Sequence, residues 1–202
     1  MSLMQPPSST IAHPHSAYLG YSKALGIAAV ILHFLVYALE AIVAATIISD
    51  PPRLLGFSLI LASLSYSVLL GLLLLSMYYM SRYYGDEGML LYTFYSTFIL
   101  FTCWTVADTA IADASRRAVE HGLSAIVLDV VLILAVGYLS FLLSTLMLYE
   151  ALRRASMATG NNYFKVAGTL MLIGSLIPLG GYIAYIAGLV VLLLAFYALK
   201  TI

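Results

Sequence analysis

Three carboxylates, Glu40, Asp108 and Asp129, stand inside otherwise apolar stretches of the chain. An Asp at the centre of a membrane-spanning helix costs about 2.5–3.5 kcal/mol on insertion scales, so such residues face a bundle interior or water rather than lipid. Counted from expected helix ends at 1.5 Å per residue, Glu40 falls about 13 Å, Asp108 about 6 Å and Asp129 about 9 Å below one common outer surface. Acids sharing that depth would form a candidate proton or cation site lining an outward-opening cavity. Alternatively, each is protonated and hydrogen-bonded to Tyr, Ser or Thr across a helix seam, contributing about 0.6 kcal/mol. Both readings stand on sequence alone. No Lys or Arg lies deep in the same stretches, so the acids are expected to lack an ionic partner.

Each acid belongs to a helical stripe. His33, Tyr37 and Glu40 follow the i, i+4, i+7 pattern that places imidazole, phenol and carboxylate on one face, so His33 and Tyr37 form a possible proton relay. The bland alternative for His33 is a satisfied interior histidine. It is the only mid-span histidine, which argues against a bis-histidine haem within one chain. Asp129 shares its face with Gly137, Ser140 and Ser144, and Asp108 lies one turn from Trp104 and Thr105. Signatures of catalysis are missing: Tyr84-Gly85-Asp86 falls in a loop, Gly56-Phe57-Ser58 has no histidine at its depth, and Asp108 and Asp113 lack the acidic cluster that would hold Mg²⁺. The sequence is read as a non-enzyme without cofactor or metal.

The elements that must carry these residues follow from composition. Of 202 residues, 63% are hydrophobic and 9% charged, against roughly 25% charged in an ordinary soluble domain. With a mean hydropathy of +1.02, the chain has too few charges to cover a water-soluble monomer of this length. Nine basic residues balance nine acidic ones, so no basic stripe exists to bind nucleic acid. Cys103 is the only cysteine and closes no intrachain disulfide.

A hydrocarbon core of about 30 Å needs about 20 apolar helical residues. The expected fold class is an all-α, polytopic transmembrane bundle with spans near 22–49, 54–80, 89–112, 123–148, 163–177 and 181–199, the last two a short hairpin broken at Pro178-Leu179-Gly180-Gly181. The first 18 residues carry three prolines and no Lys or Arg, and read as a flexible tail before one membrane domain, 19–202. Six crossings place Lys23, Arg82, Arg153, Arg154, Lys165 and Lys200 on one side and Arg53, Arg116 and Arg117 on the other. That asymmetry puts both termini in the cytoplasm of a multi-pass cell-membrane protein.

Lipid tails are as apolar as Leu, so helices in a bilayer associate through close backbone approach and interhelical hydrogen bonds. Four-residue spacings of small residues are therefore expected to mark packing surfaces: Gly20, Ala24 and Ala28; Ser63, Ser67 and Gly71; Ala184 and Gly188. They serve seams within the chain or a homo-oligomer interface. Tyr18, Tyr21, Tyr78, Tyr79, Tyr83, Tyr84, Tyr149 and Tyr163 fall near expected span ends, where an amphipathic ring suits the headgroup level. Tyr37, Tyr66, Tyr95 and Tyr138 lie deeper, where a hydroxyl needs an internal partner.

The stretch from Arg153 to Pro178 carries Thr159-Gly160, Phe164, Ala167-Gly168 and Gly174, and is followed by Ala195-Phe196. This pattern resembles the C-terminal part of the archaeal integral-membrane family called domain of unknown function 996. Tyr83-Tyr84-Gly85-Asp86-Glu87-Gly88 resembles that family's central loop, and Ser22-Lys23-Ala24-Leu25-Gly26 its N-terminal opening. The resemblance implies a small helical fold in an archaeal cell membrane and no assigned activity. The function expected from sequence is an accessory or structural subunit, packing with a membrane-protein partner or with itself in the lipid bilayer; the alternative is a small proton- or cation-linked transporter or channel.

Overall fold

The computed structural model describes residues 14–49, 51–121, 127–177 and 181–200. Six helices account for nearly all of them, with no strand among the described residues: α1 (Pro14–Ser49), α2 (Pro51–Tyr84), α3 (Glu87–His121), α4 (Val127–Thr159), α5 (Asn162–Leu176) and α6 (Tyr182–Tyr197). Four contain stretches long and apolar enough to cross a membrane. The first four have 33–36 residues and run about 50–54 Å at 1.5 Å per residue, whereas α5 and α6 run about 23–24 Å.

Local chemistry sets the ends. Proline opens both α1 and α2, where its missing N–H costs nothing in the first turn. Pro14 starts α1 inside the stretch expected to be tail, so residues 14–18 are helix; residues 1–13 lie outside the described residues. Between α2 and α3 the chain reverses in two residues. Gly85 takes a positive φ of 72°, and the Asp86 carboxylate accepts the Gly88 N–H at 2.9 Å as the N-cap of α3. The α4–α5 turn repeats the device with Gly160 (φ 68°) and Asn161, whose Oδ1 accepts the Tyr163 N–H at 3.0 Å. The side-chain nitrogen Nδ2 of Asn161 donates to the Ala195 carbonyl at 3.0 Å, tying the start of α5 to the end of α6.

The helices pack as antiparallel neighbours. Ser76 Oγ donates to the Ser22 carbonyl at 2.7 Å and sets the α1–α2 register; the Ser96 and Ser144 hydroxyls meet at 3.0 Å and set that of α3 and α4. Met77, Met80, Met89, Leu152, Phe164, Met171, Leu189, Leu192 and Phe196 form the centre of the core. Most of this core lies towards the end of the molecule that holds the two tight turns. The buried residues of α4 run only from Ser144 to Ser156, and no described side chain from Val127 to Leu143 is buried.

The α5–α6 hairpin stops short of the opposite end. Its tip is placed by the Tyr138 hydroxyl, which donates to the Leu176 carbonyl at 3.1 Å, and by the Tyr182 ring, 5.4 Å from that of Tyr37. Beyond those contacts α1 continues about 18 Å to Ser49, and α4 reaches back about 13 Å to Asp129.

Candidate functional site

Of the three sequence-derived acids, Asp129 alone has a described side chain. Asp129 lies in the first turn of α4 and pairs with Arg117 Nη1 at 2.9 Å; the same guanidinium holds Asp113 at 2.9 Å through Nη2. The expectation of an acid without an ionic partner is thus overturned for Asp129. The reason is length: α3 runs to His121 rather than ending near residue 112, and its extra turns bring Arg117 beside the start of α4. Glu40 and Asp108 belong to α1 and α3, but their side chains lie outside the described residues.

His33 and Tyr37 do share a face, with rings 4.7 Å apart and inclined at 70°. Two further tyrosines from other helices complete the group: Tyr66 of α2 at 6.4 Å and Tyr185 of α6 at 6.2 Å from the imidazole. His33 Nε2 is buried without a hydrogen-bond partner among the described residues. A void of about 30 Å³ lies beside it, with Ser96, Thr97 and Tyr185 also in its wall. Next to Tyr37 and Tyr185 lies a larger cavity of about 450 Å³, lined by Tyr37, Tyr138, Phe141, Tyr182 and Tyr185 together with the last turn of α5. Sequence reading named Tyr37, Tyr66 and Tyr138 but passed over Tyr182 and Tyr185. Their i, i+3 spacing directly after the Gly181 turn was the available signal.

The small-residue stripes divide. A Cβ on Gly188 would meet the Ala167 carbonyl and the Met171 amide, both at 2.9 Å, so Gly188 lets α6 lie against α5. Ala184, one turn earlier, is half-buried. Gly20 and Gly71 lie in open space, with nothing within 4 Å of a Cβ built on either, and Ala24, Ala28 and Ser67 are exposed. Among the described residues nothing lies against Gly20 or Gly71, and α2 approaches α1 through Ser22 and Ser76. The side chain of Ser63 lies outside the described residues. Glycines at other positions also stand at seams. Gly26 faces the Phe196 ring, Gly168 faces Tyr149, and Gly174 and Gly181 close the hairpin tip.

The outward residues of α1 and α2 share one side. Exposed Tyr21 meets Tyr79 at 5.4 Å between ring centroids; Ala24 and Ala28 follow Tyr21 at i+3 and i+7, and Leu75 and Gly71 precede Tyr79 by four and eight. The Ser22–Ser76 register puts Ala28 level with Gly71 to within a residue.

At the opposite end from Asp129, ion pairs secure the turns. Arg154 reaches Asp86 at 3.4 Å and lies over the Tyr92 ring at 5.2 Å, while Glu150 accepts two bonds from Arg153, at 2.6 and 2.8 Å. Lys23 donates to the Leu199 carbonyl at 3.0 Å. Among the described residues no three His, Cys, Asp or Glu side chains are grouped to hold a metal. No family model, curated protein or solved structure matches the chain.

Proposed function

We propose that the chain is a multi-pass membrane protein with both ends in the cytoplasm that serves as a packing subunit, its outward α1–α2 face taking a transmembrane helix of another copy or another subunit. Charge spacing supports the placement. Glu87 to Asp108 along α3, and Glu150 to Asp129 along α4, are each 21 residues or about 31 Å, close to the thickness of a hydrocarbon core. In that placement Asp129 and its arginine lie at the outer boundary, which weakens the transporter reading. The α5–α6 hairpin then enters from the cytoplasmic side and turns back within the bilayer, giving four crossings and one re-entrant hairpin in place of six crossings. The resemblance to domain of unknown function 996 remains part of this proposal; of the residues that carry it, Ser22, Gly26, Phe164, Ala167, Gly168, Gly174, Ala195 and Phe196 are buried, whereas Ala24, Gly85, Glu87 and Gly160 are exposed.

One observation carries the packing role: Ala28 and Gly71 lie level on the same outward face, where a second backbone can approach closely. Mass measurement of the protein in mild detergent, and subunit counting in liposomes at rising protein density, test it. The intact chain is expected to self-associate or to co-purify stoichiometrically with a membrane partner. Ala28→Leu with Gly71→Leu is expected to shift the population to monomer without loss of helix content. A protein that is monomeric and partnerless at every density defeats the proposal.

A further inference from the structure

We propose that the cavity at the tip of the α5–α6 hairpin binds an organic cation of the alkylammonium or quaternary ammonium class. Its volume, about 450 Å³, falls within the range of small-molecule pockets. Three helices contribute aromatic rings to it: Tyr37 from α1, Tyr138 and Phe141 from α4, and Tyr182 and Tyr185 from α6. Tyr37 and Tyr182 meet at 5.4 Å and 60°, Phe141 and Tyr185 at 5.5 Å and 42°. Both pairs are inclined rather than stacked, and an aromatic ring carries the negative part of its quadrupole on its faces.

The polar part of the wall has the same sign. Gly174, Ser175 and Ile177 line the cavity at the C-terminal end of α5, where the helix dipole presents a partial negative charge. The carbonyls of Leu176 and Ile177 are engaged by the Tyr138 hydroxyl and the Gly181 N–H, which hold the turn in place. No Lys or Arg is among the lining residues to occupy or repel a cation. A half-helix ending inside the bilayer, with its carbonyl end at a cavity, is a recurring way for membrane proteins to hold cations.

The composition of the wall selects among cations. A small metal ion must exchange its hydration shell for several oxygen ligands. Here five of the eight lining residues are aromatic, a wall that suits a weakly hydrated cation whose charge is spread over alkyl groups. Such a group reaches the site either as a free solute or as the trimethylammonium of a lipid headgroup, and the chemistry of the site is the same for both. The inference uses the bilayer placement proposed above but not self-association, so a monomer that binds the cation would separate the two proposals.

The test uses the full chain in nanodiscs of phosphatidylglycerol, titrated with tetraethylammonium chloride and followed by calorimetry and thermal unfolding, with KCl at equal ionic strength as the reference. Saturable binding of tetraethylammonium but not of K⁺ is expected. Tyr182→Leu should weaken it about two- to fivefold, the effect of losing one half-exposed ring, while Tyr182→Phe, which keeps the ring, should bind as the parent does. In phosphatidylcholine nanodiscs, loss of the tetraethylammonium signal would identify the lipid headgroup as occupant, and its persistence would identify a free solute. The proposal is overturned if the folded protein binds no tetraethylammonium in phosphatidylglycerol, if K⁺ competes equally, or if Tyr182→Leu leaves affinity unchanged.

Discussion

Replacing Gly26 with Ala adds one methyl group where α1 crosses α6. A Cβ at Gly26 would lie 2.6 Å from Phe196 Cγ and nearer still to two other carbons of the same ring, well inside the 3.5–4.0 Å separation at which carbon pairs rest. The ring has nowhere to go: Phe196 is fully buried, and Phe164 meets it edge-on at 5.2 Å and 86°. Either Phe196 leaves its rotamer or α1 moves off α6, and overpacking of this kind costs about 1–3 kcal/mol. Against that, Ala in place of Gly in a helix interior gains about 0.5–1 kcal/mol. The net expectation is a loss of about 1–2 kcal/mol, or about 2–8 °C in Tm for a chain of this size.

The control is Gly137→Ala in α4, where a Cβ meets nothing within 4 Å and only the helix gain of about 0.5–1 kcal/mol remains. Thermal unfolding of both variants in the same detergent should therefore move Tm in opposite directions. Trimming the ring supplies the second check. In Phe196→Leu the obstacle to the new methyl is smaller, so Gly26→Ala should cost less there than in the parent, with a coupling of at least about 0.5 kcal/mol. Equal shifts for Gly26→Ala and Gly137→Ala, or strict additivity with Phe196→Leu, would refute the α1–α6 contact as described.

Asn161 both caps α5 and bonds the Ala195 carbonyl. Asn161→Ala should lose about 2 kcal/mol, and Asn161→Asp, which keeps the capping acceptor but not the donor, about 1 kcal/mol, both read from Tm. Arg117 and Asp129 are 43% and 31% exposed, so Arg117→Gln should cost no more than about 1 kcal/mol, a loss that fades between 0.05 and 1 M NaCl. A salt-independent loss of about 3 kcal/mol would instead mark a pair shielded from solvent.

The turns were legible because their chemistry is local. Gly85-Asp86 and Gly160-Asn161 combine a residue free to take positive φ with a side chain that caps the next helix, and both needs are written in adjacent residues. The six helices were legible from continuous apolar runs. Their ends were not, because hydropathy reports how far hydrocarbon reaches along a helix, not how far the backbone stays hydrogen-bonded. From Asp113 to His121, α3 is polar yet rich in Ala, Arg and Glu, which favour helix. It therefore continues past the apolar stretch and delivers Arg117 to Asp129.

Which face a helix turns inward was the least legible feature, and on the proposed placement in a bilayer the reason lies in the solvent. In water the buried face is apolar and the outer face polar, so periodicity identifies the core. Where lipid is the solvent both faces are apolar, and small-residue spacing is the remaining local signal. Gly71 and Gly188 carry that same signal, yet Gly71 faces open space and Gly188 the backbone of α5. What separates them is the level at which a neighbouring helix passes. For Gly188 that level follows from the short α5–α6 hairpin, closed at its tip by Gly174 and Gly181 and at its base by Asn161 on Ala195. Of these partners Gly174 and Asn161 belong to another helix and its cap, so a spacing rule read along α6 reports the capacity for close packing but not its use. The same holds for the cavity: Tyr37, Tyr138 and Tyr182 converge only because the hairpin tip stops between α1 and α4, a depth no single helix encodes.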